Sequence, residues 1–99
     1  MDKKIKKKLA SNWFQLLQNI ICDDIEKLEN KKIKFKSRTW NRSKIKDEGG
    51  GEFRILKNGK LFEKVGVNFS EVYGKFSKEM MKKIPGAGKN PNFWASGIS

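Results

Sequence analysis

Gly49-Gly50-Gly51-Glu52-Phe53-Arg54-Ile55-Leu56-Lys57-Asn58-Gly59-Lys60-Leu61-Phe62-Glu63-Lys64-Val65-Gly66-Val67-Asn68-Phe69-Ser70 is the stretch that decides the fold. Asn58-Gly59 divides it into two apolar-rich runs. Asn-Gly is the strongest short-range mark of a two-residue type I′ turn, whose two central residues both need positive φ. Such a turn sets Lys57 opposite Lys60, Leu56 opposite Leu61, Ile55 opposite Phe62 and Arg54 opposite Glu63. The last three are pairs of the kinds that stabilise antiparallel strands. Past the turn, Leu61, Val65, Val67 and Phe69 share one face, while Phe62 and Val72 take the other. With Phe53 and Ile55, this predicts a sheet covered on both sides. Gly66 inside the second run predicts a bulge or a close backbone approach.

Upstream, Gly49-Gly50-Gly51 reads first as a loose turn feeding the strand, and second as a place where backbone N–H groups converge on an anion. No Gly-Lys-Ser or Gly-Lys-Thr follows, so the run is not a P-loop. Ser37 to Glu48 forms a polar approach containing Trp40 and Arg42, and the alternation Lys-Lys-Ile-Lys-Phe-Lys at 31–36 predicts a short strand. Before it, Trp13, Leu16, Leu17, Ile20, Ile21, Cys22, Ile25 and Leu28 recur at helical spacing. Gln15, Gln18, Asn19, Asp23, Glu26 and Lys27 take the opposite, wet face. Ser11 or Asn12 is the expected cap, with a stop near Asn30. Residues 1–10 read as a disordered basic leader, because clustered lysines repel. Downstream, Ser77 caps a short helix over 78–84 that Pro85 ends. Residues 85–92 form a Gly, Pro and Asn loop, and a further strand begins at Phe93.

The chain of 99 residues carries 23 Lys and Arg against 11 Asp and Glu, a net charge of +12, with 36% hydrophobic residues. That bounds it to one small domain with a thin core and suits an anionic partner. The arginines are Arg38, Arg42 and Arg54, so bidentate phosphate recognition is poorly supplied. There is no histidine, which removes every Ser-His and Cys-His nucleophile arrangement. Metal-ligand spacings are absent from the sequence. Cys22 is the sole cysteine, so no internal disulfide forms, and its place on the apolar stripe reads as packing. No apolar run reaches the ~20 residues that cross a bilayer.

Trp40-x-Arg42, the glycine run, Arg54-Ile55-Leu56-x-x-Gly59-x-x-Phe62-Glu63-Lys64-x-Gly66-Val67-Asn68-x-Ser70 and the ending Phe93-Trp94-Ala95-Ser96-Gly97-Ile98-Ser99 resemble the amino-terminal part of oxygen-dependent coproporphyrinogen III oxidases. The likeness runs from about Trp13 to Ser99, and the family's chains are about three times as long. It departs from the family in its longer interval between Trp40 and the glycines, in three glycines instead of four, and in Tyr73 where many members have histidine.

The resemblance implies an α+β fold, an antiparallel sheet flanked by helices, of which residues 11–99 are an incomplete amino-terminal part. It implies oxidative decarboxylation of two propionates of coproporphyrinogen III to the vinyl groups of protoporphyrinogen IX in haem synthesis. Molecular oxygen is the co-substrate and no organic cofactor takes part; a metal requirement stays open. It implies a cytoplasmic homodimer. Ser99 matches a serine that contacts substrate. Ile55, Leu56, Lys57, Asn58, Gly59, Lys60, Leu61, Phe62, Glu63 and Lys64 match the strand pair contributing to the dimer contact. The family's catalytic histidine lies beyond the residues matched, so no catalytic residue is assigned and the isolated chain is expected to be inactive. The alternative is a small basic nucleic-acid-binding module, in which Trp13, Trp40, Phe53 and Phe62 stack on bases among the lysines.

Overall fold

The computed structural model describes residues 2–85, 88 and 90–99. In chain order these form α1 (Lys3–Leu28), β1 (Lys36–Asn41), β2 (Gly49–Lys57), β3 (Lys64–Lys75), α2 (Lys78–Lys83) and β4 (Asn92–Ile98). The strands make one antiparallel sheet in the order β1-β2-β3-β4. This is the expected α+β class, with a helix packed on an antiparallel sheet. Among the described residues, no helix is long and apolar enough to cross a membrane.

The long helix begins at Lys3, at least nine residues earlier than a cap at Ser11 or Asn12 would start it. The Asp2 carboxylate accepts the Lys4 N–H at 2.7 Å and caps it, so residues 3–10 are helical and not a disordered leader. Ile5 and Leu9 extend the four-residue spacing into Trp13, and Lys, Leu and Ala are good helix formers. Ser11 therefore lies inside the helix. At the other end, Lys31 N–H bonds Glu26 O at 2.7 Å and Asn30 N–H bonds Lys27 O at 3.0 Å. Asn30 and Lys31 turn left-handed, at φ 57° and 56°. That is a Schellman termination. It occupies residues predicted to be strand, and the Glu26 carboxylate takes the Phe35 N–H at 2.7 Å. The strand expected at 31–36 consequently starts only at Lys36 and runs to Asn41.

The hairpin exists, with a different register. Lys57 faces Lys64, Leu56 faces Val65, Ile55 faces Gly66 and Arg54 faces Val67. Residues 58–63 are a loop, in which Asn58 N–H bonds Glu63 O and Gly59 N–H bonds Phe62 O, each at 2.9 Å. Asn58 takes φ 62° as the turn signal predicts; Gly59 is not among the residues with positive φ. The shift from Leu61 to Val65 opposite Leu56 is four residues. An even shift leaves every side chain on its predicted face. Leu56, Val67 and Phe69 are accordingly all buried together.

They are buried beneath α1, which packs over β3 and β4. The interface is more polar than its stripe suggests. Gln18, assigned from the sequence to the wet face, is 1% exposed and donates Nε2–H bonds to Glu52 O at 2.8 Å and Val67 O at 3.1 Å. Trp13, Leu16, Ile20 and Leu28, expected in the core, are about half exposed. The opposite sheet face, expected to be covered, carries the exposed Phe53 and the half-buried Trp40, Ile55 and Val72.

Candidate functional site

The open face is floored by glycine. Strand alternation places Trp40, Gly51, Phe53, Gly66, Asn68, Ser70 and Gly97 on it. A Cβ at Gly51 would fall within the van der Waals envelope of the Phe69 carbonyl oxygen and 3.0 Å from Trp40 Cζ2. The indole therefore lies down across the strand, and its Nε1–H reaches the Asn68 Oδ1 at 3.0 Å. The Phe53 ring lies over Gly66 in the same way, 2.9 Å from where a Cβ would stand. Gly49 to Gly51 are strand residues pressed between neighbouring backbones, neither a loose turn nor an anion loop.

Arg42 clamps the far end. Its Nη1–H donates to Tyr73 O at 3.0 Å, it pairs with Glu48 at 3.0 Å, and it lies 4.9 Å over the Phe93 ring. Gly74 makes room for the guanidinium. Trp40-x-Arg42 is thus a two-point strap from β1 across the sheet. The Tyr73 hydroxyl donates to the Asp47 carboxylate, which raises its pKa.

Ser99 follows β4 and exchanges both backbone bonds with Asn68, at 2.8 and 2.9 Å. Asn68 is therefore shared by Trp40 through its side chain and Ser99 through its backbone. Beside them, Lys36, Arg38 and Lys57 surround Phe53 and Ile55. An apolar floor with cations at its rim and hydroxyl and amide groups at its centre suits a ligand with an apolar ring body and peripheral carboxylates.

The stretch Ile55–Lys64 forms the hairpin tip, and Ile55 pairs with Gly66, two residues along β3 from the Asn68 that Ser99 meets. The hairpin tip is held by a residue the sequence reading passed over. Glu29 is 5% exposed, and its carboxylate accepts N–H bonds from Lys60 (2.9 Å), Leu61 (3.2 Å) and Phe62 (3.1 Å). Burial pushes this carboxyl up, but the Phe62, Leu61 and Lys60 donors and the Lys60 charge outweigh it and hold the pKa below its ordinary value. A Cβ on Gly59 would stand 2.6 Å from Glu29 Cδ, so that glycine is needed for close approach.

On the helix side, the Ser11 hydroxyl donates to Glu71 at 2.8 Å and Trp94 Nε1–H donates to the same carboxylate at 3.1 Å. Burial raises the pKa of Cys22, in keeping with a packing role, although neighbouring Arg54 pulls the other way. No group of acidic, cysteine or histidine residues placed to hold a metal ion occurs among the described residues.

A family model described as Coproporphyrinogen III oxidase matches residues 9–99. The chain belongs to the coproporphyrinogen III oxidase family. It is 43% identical over 101 residues to an oxygen-dependent coproporphyrinogen-III oxidase of Rickettsia felis, covering 94% of this chain and 35% of that one. A Rickettsia bellii (strain RML369-C) protein of the same description is 41% identical over 107 residues, covering 100% and 37%. One from Rickettsia akari is 42% identical over 101 residues, covering 94% and 35%. The chain thus spans about a third of the length of these coproporphyrinogen oxidase relatives. The motifs that carried the resemblance now have structural reasons: the Trp-x-Arg strap, the glycine floor beneath it, and a hairpin whose glycine admits Glu29.

Proposed function

We propose that this chain is the amino-terminal part of an oxygen-dependent coproporphyrinogen III oxidase and that its open sheet face forms one wall of the substrate site. The observation carrying this is the convergence of Trp40, Asn68 and Ser99 on a glycine-floored, cation-rimmed face in a chain of this family. The reaction converts two propionates of coproporphyrinogen III to vinyl groups, each losing carbon dioxide while two electrons pass to molecular oxygen. The wall's contribution is positional. Apolar floor residues take the pyrrole rings, rim cations take carboxylates, and the Ser99 hydroxyl fixes one propionate. Holding that group in a single geometry beside the electron-rich ring lowers the entropic part of the barrier. No organic cofactor belongs to the proposal.

The chain has no histidine, so a proton donor of that type must come from elsewhere, and the 99 residues alone are inactive. The hairpin stretch Ile55–Lys64 serves as a contact between subunits of the longer enzyme, which acts in the cytoplasm. The test is a chimera in which residues 9–99 replace the matching third of the Rickettsia felis relative. Followed under air, it should form protoporphyrinogen IX within about tenfold of the parent, and Ser99→Ala should raise KM more than it lowers kcat, the sign of a lost binding contact. A folded chimera without turnover would refute the proposal.

A further inference from the structure

Four residues stand in one line across the open face. Arg38 of β1 faces Phe53 of β2, and Phe53 faces Asn68 of β3. Asn68 exchanges backbone bonds with Ser99 at 2.8 and 2.9 Å, so the two are a directly opposed, hydrogen-bonded pair. Opposed residues of antiparallel strands point to the same side of the sheet, with Cβ atoms about 5 Å apart. Asn68 and Ser99 therefore present a carboxamide and a hydroxyl side by side. Neither is charged; the cation of this line, Arg38, stands at the opposite edge of the sheet.

Trp40 decides which way the carboxamide points. An indole N–H only donates, and it meets Asn68 at 3.0 Å. The atom it meets must be the acceptor Oδ1, so the amide has one orientation and Nδ2 is turned away from the indole. Among the described residues nothing accepts a hydrogen bond from Nδ2, and the atom is not sealed from solvent. A fixed amide donor beside a hydroxyl is matched by a carboxylate, which offers an acceptor oxygen to each.

We propose that Asn68 binds the same substrate carboxylate as Ser99, its Nδ2–H donating to one oxygen and the Ser99 hydroxyl to the other, and that Trp40 is the positioning residue that keeps the amide turned that way. This rests on the reading of the open face as a wall of the substrate site. Without the indole N–H the carboxamide also samples the reversed orientation, with Oδ1 facing the anion, and ordering it again costs affinity. Because the pair recognises its ligand by direction and not by net charge, its contribution persists in salt that screens the rim cations.

The test is titration of the intact chain at about 0.3 M salt with coproporphyrin III, a stable porphyrin carrying the same four carboxylates, and with its amide derivative, in which each carboxylate is a neutral primary amide. Porphyrin absorbance reports binding, and circular dichroism confirms that each variant is folded. Asn68→Leu should weaken binding of the acid about tenfold. Asn68→Asp keeps an acceptor for Trp40 but turns a charged oxygen on the ligand. It should weaken the acid about thirtyfold or more and leave the amide within about threefold, since a primary amide can donate to the new carboxylate. Trp40→Phe should weaken the acid about threefold to fivefold. Asn68→Leu combined with Ser99→Ala should lose less than the product of the single losses, as two groups sharing one partner do. Equal weakening of acid and amide by Asn68→Asp, no loss with Asn68→Leu, or losses that simply multiply in the double variant would overturn the role of Asn68 and leave the substrate wall standing. No loss with Trp40→Phe would overturn the positioning role, and no binding of coproporphyrin III by the wild type would overturn the proposal together with the reading beneath it.

Discussion

The Glu29 carboxylate receives the Leu61 N–H at 3.2 Å from each of its oxygens, so the last turn of the long helix grips the tip of a hairpin 32 residues away. With Lys60 and Phe62 also donating, three amide groups of the loop converge on one ion. A loop that would otherwise leave those donors to water becomes part of the helix–sheet core.

This bond is pH-dependent in a definite sense. The folded-state pKa of Glu29 lies below its ordinary 4.5, so its contribution is complete above that value and disappears as pH falls through the lower folded one. Glu29→Gln should lower Tm by about 5 °C or more at pH 7, where the carboxylate is replaced by an amide that accepts less well. The gap between wild type and variant should narrow as pH falls from 5 to 3. Thermal melts across that range decide it; a gap constant with pH would mean that the charge does not matter.

The glycines of the sheet should divide by what surrounds them. At Gly51 the obstacle is the Phe69 carbonyl, which is backbone and cannot yield, so Gly51→Ala should cost about 3 kcal/mol or more in urea unfolding. At Gly66 the obstacle is the edge of the Phe53 ring, which can swing aside, and the cost should be about 1 kcal/mol. At Gly97 nothing lies within 4 Å, and alanine should be neutral to within about 0.5 kcal/mol. An equal loss at all three positions would show that the close approaches are not what selects glycine.

Gln18 should behave as a core residue despite its polarity. Gln18→Leu keeps the volume and removes the donor for Glu52 O and Val67 O, and should cost about 2–4 kcal/mol. Leu56→Ala, at a site with no exposure, should cost about 2–5 kcal/mol. If Gln18→Leu is neutral in equilibrium unfolding, the amide is a passenger at this interface.

Much of the fold is legible before any coordinates. Asn58-Gly59 marks a chain reversal, alternation assigns Leu56, Val67 and Phe69 to one face, and Ser77 and Pro85 bound α2. The misses share one cause, a partner distant in sequence. Local turn preference favours two residues at 58–59, but Glu29 rewards a longer loop with three hydrogen bonds. Alternation at 31–36 favours a strand, but the helix termination and Glu26 claim those residues first. Gln18 reads as solvated because nothing nearby in sequence indicates that two strand carbonyls need its amide. Trp40, Arg42 and Ser99 stand out in the sequence, whereas nothing there marks Asn68, which hydrogen-bonds both Trp40 and Ser99 in the structure. Only the register between β3 and β4 supplies that link.

The most direct measurement is a map of amide shifts on the isotope-labelled chain during titration with coproporphyrin III, the stable aromatic form of the proposed substrate. The account predicts shifts gathered on the open face at Trp40, Phe53, Asn68, Ser70 and Ser99 and persisting at about 0.3 M salt, where exposed charges are largely screened. Shifts confined to the lysines of residues 3–8 and abolished by salt, or none at millimolar ligand, would contradict it.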